Sequence, residues 1–82
     1  MMPLTLDDFV AQETDDPDIA DKRGFFKVEL WDEDGLRPVK LLYAGNRVVT
    51  ARSVFYQAVR RNPHGRYTVK RGIRVLWTWQ PR

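Results

Sequence analysis

The sequence predicts an α+β domain: a small antiparallel sheet of four to five strands, one main helix packed across it, and a short helix at the N-terminal end. Three observations carry that expectation. Phe26, Val28 and Leu30 alternate with Lys27 and Glu29, the period-two signature of a half-buried strand. Ala51, Val54, Phe55, Ala58 and Val59 fall at i, i+3, i+4, i+7 and i+8, one face of an amphipathic helix. Tyr67, Val69, Ile73, Val75, Trp77 and Trp79 all occupy odd positions, which is strand parity again.

Thr5 is placed to cap a short helix running to about Glu13, because its hydroxyl can accept an orphan amide hydrogen bond while Asp7 and Asp8 suit the positive end of the helix dipole. Leu4 and Phe9 have the spacing of a hydrophobic staple, and Leu6, Phe9 and Val10 form a narrow apolar stripe. Thr14-Asp15-Asp16-Pro17-Asp18 breaks this helix, although Asp16-Pro17 can open one further turn through Ile19. Lys22-Arg23-Gly24 closes the connector.

Phe25 to Trp31 is the first strand, and Asp32-Glu33-Asp34-Gly35 supplies turn chemistry after it. Leu36 to Tyr43 is the second, with Pro38 confining its start to an edge and Val39, Leu41 and Tyr43 sharing one face. Ala44-Gly45-Asn46 then reads as a turn into a third strand, Arg47-Val48-Val49, which makes residues 25–49 a three-stranded meander. Thr50 is expected to cap the main helix, whose end at Arg60-Arg61 suits the negative pole and is stopped by Asn62-Pro63 and Gly65. The last segment is either one long bent strand across Gly72 or a hairpin with the loop Lys70-Arg71-Gly72, placing Val69 opposite Ile73 and Tyr67 opposite Val75.

A chain of 82 residues suffices for one modest core and not for two. The expected organisation is therefore a single domain over residues 1–82, with an acidic helical head and connector over 1–24 and a sheet-and-helix core over 25–82. There is no cysteine and only one histidine, His64, so a disulfide framework, a thiolate zinc site and a histidine metal cluster are all unexpected. Apolar runs are far too short to span a bilayer, and the first residues lack the basic flank and apolar stretch of a secretory signal. A cytoplasmic location without membrane contact is the expectation.

Nucleophilic catalysis has little to work with. Ser53 is the only serine and falls early in the main helix, whereas His64 follows that helix's end, about three turns away. The carboxylates of Asp15, Asp16, Asp18 and Asp21 lack the spacing of a calcium loop, Asp32-Glu33-Asp34 reads as a solvated turn, and the five glycines are scattered singly rather than gathered in a phosphate loop. No catalytic residue, metal or small-molecule cofactor is expected.

Charge is distributed unevenly. Residues 1–24 carry seven acids against Lys22 and Arg23, whereas residues 47–82 carry nine basic residues and no acid. Arginine outnumbers lysine ten to four, and guanidinium is the better group for bidentate phosphate contact and base stacking. Arg52, Tyr56 and Arg60, spaced by four, form a line opposite the apolar stripe with Arg61 adjacent; Lys70 and Arg74 are expected to share the polar strand face, bordered by Arg66 and Arg71. If those surfaces meet they make a phosphate-binding site for DNA or RNA with Tyr56 as a stacking platform. The acidic head could then fold back as an electrostatic competitor.

A second expectation rests on Trp31, Trp77 and Trp79: a small regulator or inhibitor docking on a larger protein through exposed tryptophan and a basic rim. Otherwise the three tryptophans complete the core around Val28, Val54 and Phe55. Lys70-Arg71-Gly72-Ile73-Arg74-Val75-Leu76-Trp77 resembles the basic, glycine-containing strand pair of RelE-type ribosome-dependent ribonuclease toxins. That resemblance implies a small ribonuclease as a third class. The stretch lacks the aromatic residue such toxins usually place before the arginine-valine pair, and strands precede the helix here, so no catalytic role is carried over.

Overall fold

The computed structural model describes residues 12–81. Along them run helix α1 (Pro17–Lys22), strands β1 (Phe26–Trp31) and β2 (Pro38–Gly45), helix α2 (Val48–Arg61), and strands β3 (Arg66–Arg71) and β4 (Arg74–Trp79). The four strands form one antiparallel sheet in the order β2-β1-β3-β4. Because β2 and β3 both run antiparallel to β1, they are parallel to each other. The chain therefore crosses from one to the other through α2, a split β-α-β arrangement, and the fold is α+β as the patterning predicts.

Helix α2 covers one face of the sheet. Val28, Tyr43, Tyr67 and Val69 from the strands and Ala51 and Phe55 from the helix make the main core, with Val54, Ala58 and Val59 packed around it. Residues along a strand alternate between faces, so Lys27 and Glu29 point to the other side. There α1 lies down, and Ala20 and Phe25 pack on Ala44 and Leu41 in a second, smaller cluster. Lys27 and Glu29 are each only 4 % exposed, so the half-buried reading of this strand is corrected: β1 is an inner strand covered on both faces. Lys27 Nζ pairs with Asp21 of α1 at 2.9 Å, and Lys70 Nζ lies 3.9 Å from Glu29 Oε1.

Several expectations need revision. The helix placed over residues 5–13, with its Thr5 cap, staple and stripe, falls outside the described residues up to residue 11. Its last two residues are not helical, and Glu13 instead donates its N–H to Ala44 O at 2.7 Å and accepts from the Asn46 N–H at 2.9 Å. Asp16 caps a six-residue α1 rather than a single turn, its side chain accepting from the Asp18 N–H. Arg47-Val48-Val49 is not a third strand: β2 continues to Gly45, and Val48 is already helical. Thr50 accordingly lies inside α2, and the cap residue is Arg47. The Tyr43 hydroxyl fixes it, accepting from the Arg47 N–H at 3.2 Å and donating to the Arg47 carbonyl at 3.4 Å. This contact, together with Ala51 and Phe55 in the core, overrides the strand preference of the two valines.

Register shifts explain two further differences. Between Val28 and Glu29 the partner in β2 jumps from Tyr43 to Leu41, so these two residues sit on opposite faces instead of sharing one. In the last segment the chain turns back as a hairpin whose loop is Gly72-Ile73, with Arg71 opposite Arg74, Val69 opposite Trp77 and Tyr67 opposite Trp79. Gly72 takes φ +61°, the left-handed sign a two-residue hairpin loop favours at its first position. Leu76 is the extra residue of a bulge, and Ile73, expected in the buried row, is 99 % exposed.

Candidate nucleic-acid interface

Helix α2 starts beside the end of β2 and runs back over the sheet, which leaves the side away from Ala51 and Phe55 in solvent. Arg52, Tyr56, Arg60 and Arg61 all lie on that exposed side, as their spacing predicts. At 1.5 Å per residue, Arg52 and Arg60 are about 12 Å apart along the axis, or between three and four base-pair rises. Tyr56 stands between them, 55 % exposed and tilted against Phe55 with ring centroids 5.7 Å apart.

The strand half of the expected surface divides between the two faces. Cross-strand partners share a face; Lys70 pairs with Val75 whereas Arg71 pairs with Arg74, so Lys70 and Arg74 lie on opposite sides, contrary to the parity reading. Lys70 is held on the α1 side by Glu29 and by the Trp31 ring, 5.5 Å from its centroid. Arg66 is also engaged, its Nε donating to Glu33 O at 2.7 Å. Arg71 turns to the start of β1, donating to Gly24 O at 3.0 Å with its guanidinium 5.1 Å from the Phe26 centroid. Arg74, Arg60 and Arg61 have no hydrogen bond or ion pair among the described residues.

One contact joins helix to strand. The Arg52 guanidinium lies 5.2 Å from the centroid of the Trp77 ring on β4, within cation-π range. At the other end of α2 the Trp79 indole N–H donates to Pro63 O at 2.9 Å. β4 thus meets α2 at Arg52 and the chain again just past the helix end at Pro63. Neither α2 nor β4 contains an acidic residue, and the nearest turn with acids, Asp32 and Glu33, shares a hollow with Asn62 and His64 just past the end of α2. Of the described acids of the head, Asp21 pairs on the face opposite α2, whereas Glu13 accepts from the Asn46 N–H just before the start of α2; neither reaches over the Arg52-Tyr56-Arg60 line.

The tryptophans do not form one patch. Trp77 packs against the main core beneath Arg52. Trp31 lies on the other face and donates its indole N–H to Thr68 Oγ1 at 2.8 Å; Trp79 is 39 % exposed. Trp31 and Trp79, with Arg66, Thr68 and Thr78, line a hollow of about 210 Å³. The expectation that all three complete the core around Val28, Val54 and Phe55 therefore holds only for Trp77. Ser53 accepts from Gln57 Nε2 at 3.4 Å within α2, and His64 follows the helix, so the two remain apart as expected. Sequence reasoning missed the pairing of Trp77 with Arg52; the odd-position row marked Trp77 as apolar-facing, but only the hairpin register reveals which helix residue it meets. Among the described residues no helix is long and apolar enough to cross a membrane. Comparison with family models, curated proteins and solved structures finds no match to this chain.

Proposed function

We propose that the protein is a non-catalytic binding module that holds nucleic-acid phosphates along α2 and β4. The Arg52 contact with Trp77 carries this reading, because it ties the arginine-bearing helix to the last strand, neither of which contains an acid. Arg52, Arg60, Arg61 and Arg74 supply the phosphate contacts and Tyr56 a ring on which a base can stack. Lys70 and Arg66 contribute background charge, since their side chains already have protein partners. Four contacts on duplex DNA correspond to a slope of log affinity against log salt of about −3.6. Titration of DNA and RNA, single- and double-stranded, across a salt series tests this; absent or salt-insensitive binding to all of them refutes it.

A second reading follows from the hollow between Trp31 and Trp79, which has room for an aromatic or aliphatic anchor of a larger protein. Under that reading Trp79→Ala abolishes capture of the partner while the fold persists. Arg60→Ala then has little effect, the reverse of the order expected for phosphate binding.

A further inference from the structure

We propose that the loop of the β3-β4 hairpin is a wedge, with Ile73 entering between adjacent bases of a duplex while Arg74 meets a flanking phosphate and Arg71 adds positive charge from beside the start of β1. This inference rests on the phosphate-binding reading of α2 and β4. Two-residue hairpin loops are ordinarily built from glycine, asparagine, aspartate or serine; here the second position holds a β-branched aliphatic residue with 99 % of its surface in water. It makes no use of its hydrocarbon within the described fold. The residues on either side add a second observation. Arg71 and Arg74 are direct cross-strand partners, and like charges opposite each other destabilise a ladder.

Among the described residues no acid pairs with either arginine. Arg71 is turned to Gly24 O and the Phe26 ring, and Arg74 is without an ion pair or hydrogen bond among the described residues. A polyanion running past the tip would relieve their repulsion. The tip is also joined to the helix arginines, for β4 leads from Arg74 to Trp77 and so to Arg52. An aliphatic side chain between paired arginines is the chemistry by which proteins unstack and kink a base step. An anionic membrane shares the charge requirement, but a lone isoleucine buries far fewer methylenes than a myristoyl chain, whose own hold on a bilayer is marginal.

The test uses the full chain and a short DNA duplex carrying the fluorescent base aminopurine beside a central TA step, the kind most easily unstacked. At saturation the wild-type protein is expected to raise the fluorescence, and donor and acceptor dyes on the duplex ends are expected to draw together. Ile73→Ser keeps the salt slope of binding and loses both signals, whereas Ile73→Phe retains them. Both substitutions fall on a fully exposed side chain, and matching far-ultraviolet spectra confirm that the fold is intact. Salt-dependent binding with no fluorescence rise in the wild type overturns the wedge and leaves phosphate binding standing; no binding at any salt overturns both. Ile73-dependent attachment to phosphatidylserine vesicles, with an unchanged aminopurine signal, overturns the wedge in favour of a membrane surface.

Discussion

Tyr43 links the sheet to the start of α2 through its hydroxyl. Tyr43→Phe keeps the ring in the core and removes both hydrogen bonds, at an expected cost of about 1 kcal/mol in urea unfolding. Burial pushes the Tyr43 phenol above its ordinary value of 10.0 and raises that of Tyr67 as well. The folded state therefore keeps these protons to higher pH than the unfolded chain does. Their contribution to stability is complete below about pH 10 and declines as pH rises through the folded values. Tyr43→Phe should flatten part of that alkaline decline, which urea titrations from neutral to strongly alkaline pH will show. Gly65 illustrates a steric constraint: a Cβ there would lie 2.7 Å from the Tyr67 hydroxyl oxygen. Gly65→Ala must displace that buried ring and its bond to Asn62 O, so a loss of about 1–3 kcal/mol is expected from thermal or urea melts. Among the described residues Lys70 is the cation paired with the buried Glu29 carboxylate, whose Oε1 has no hydrogen-bond partner there. Lys70→Met leaves that charge uncompensated, with an expected cost on the order of 3 kcal/mol. Its effect on nucleic-acid affinity, compared at equal folded fraction, should be small.

At the scale of elements, α2 carries most of the residues proposed to bind, and it was the most legible. Its apolar stripe and its Arg52-Tyr56-Arg60 line are set by helical spacing alone, so sequence periodicity revealed both faces at once. Replacing Arg60 and Arg61 together by alanine removes two exposed guanidinium groups with no described partner. The slope of log affinity against log salt should become shallower by about 2, and the melting temperature should hardly change. The strands were less legible because their faces depend on register. A bulge adds one residue and reverses parity beyond it, which is how Leu42 separates Leu41 from Tyr43 and how Leu76 separates Val75 from Trp77. Neither of these two bulges has a glycine or proline to mark it, whereas a third shift, at Val39, directly follows Pro38. The start of α2 was hidden for another reason: Val48 and Val49 favour strands locally, and the tyrosine that turns the chain into a helix lies on the preceding strand.

Across the whole molecule, charge and topology are distributed separately. The described acids gather at α1 and the β1-β2 turn, while α2 and β4 hold arginine without any acid beyond Asp34. The candidate site was legible in the sequence as an imbalance. Its division into engaged groups, Lys70 and Arg66, and available ones, Arg60, Arg61 and Arg74, depends on which face each strand residue takes. The strand order has a consequence for how the chain is made. β1 finds its first partner across a short turn, but Val28 meets Val69 about 40 residues later in the chain, and ladders between distant segments are the slow step of folding. During synthesis on a ribosome, β1 emerges with one edge paired to β2 and the other bare until α2 and β3 have followed. The strand that finishes most enclosed is the one longest exposed while the protein is being born.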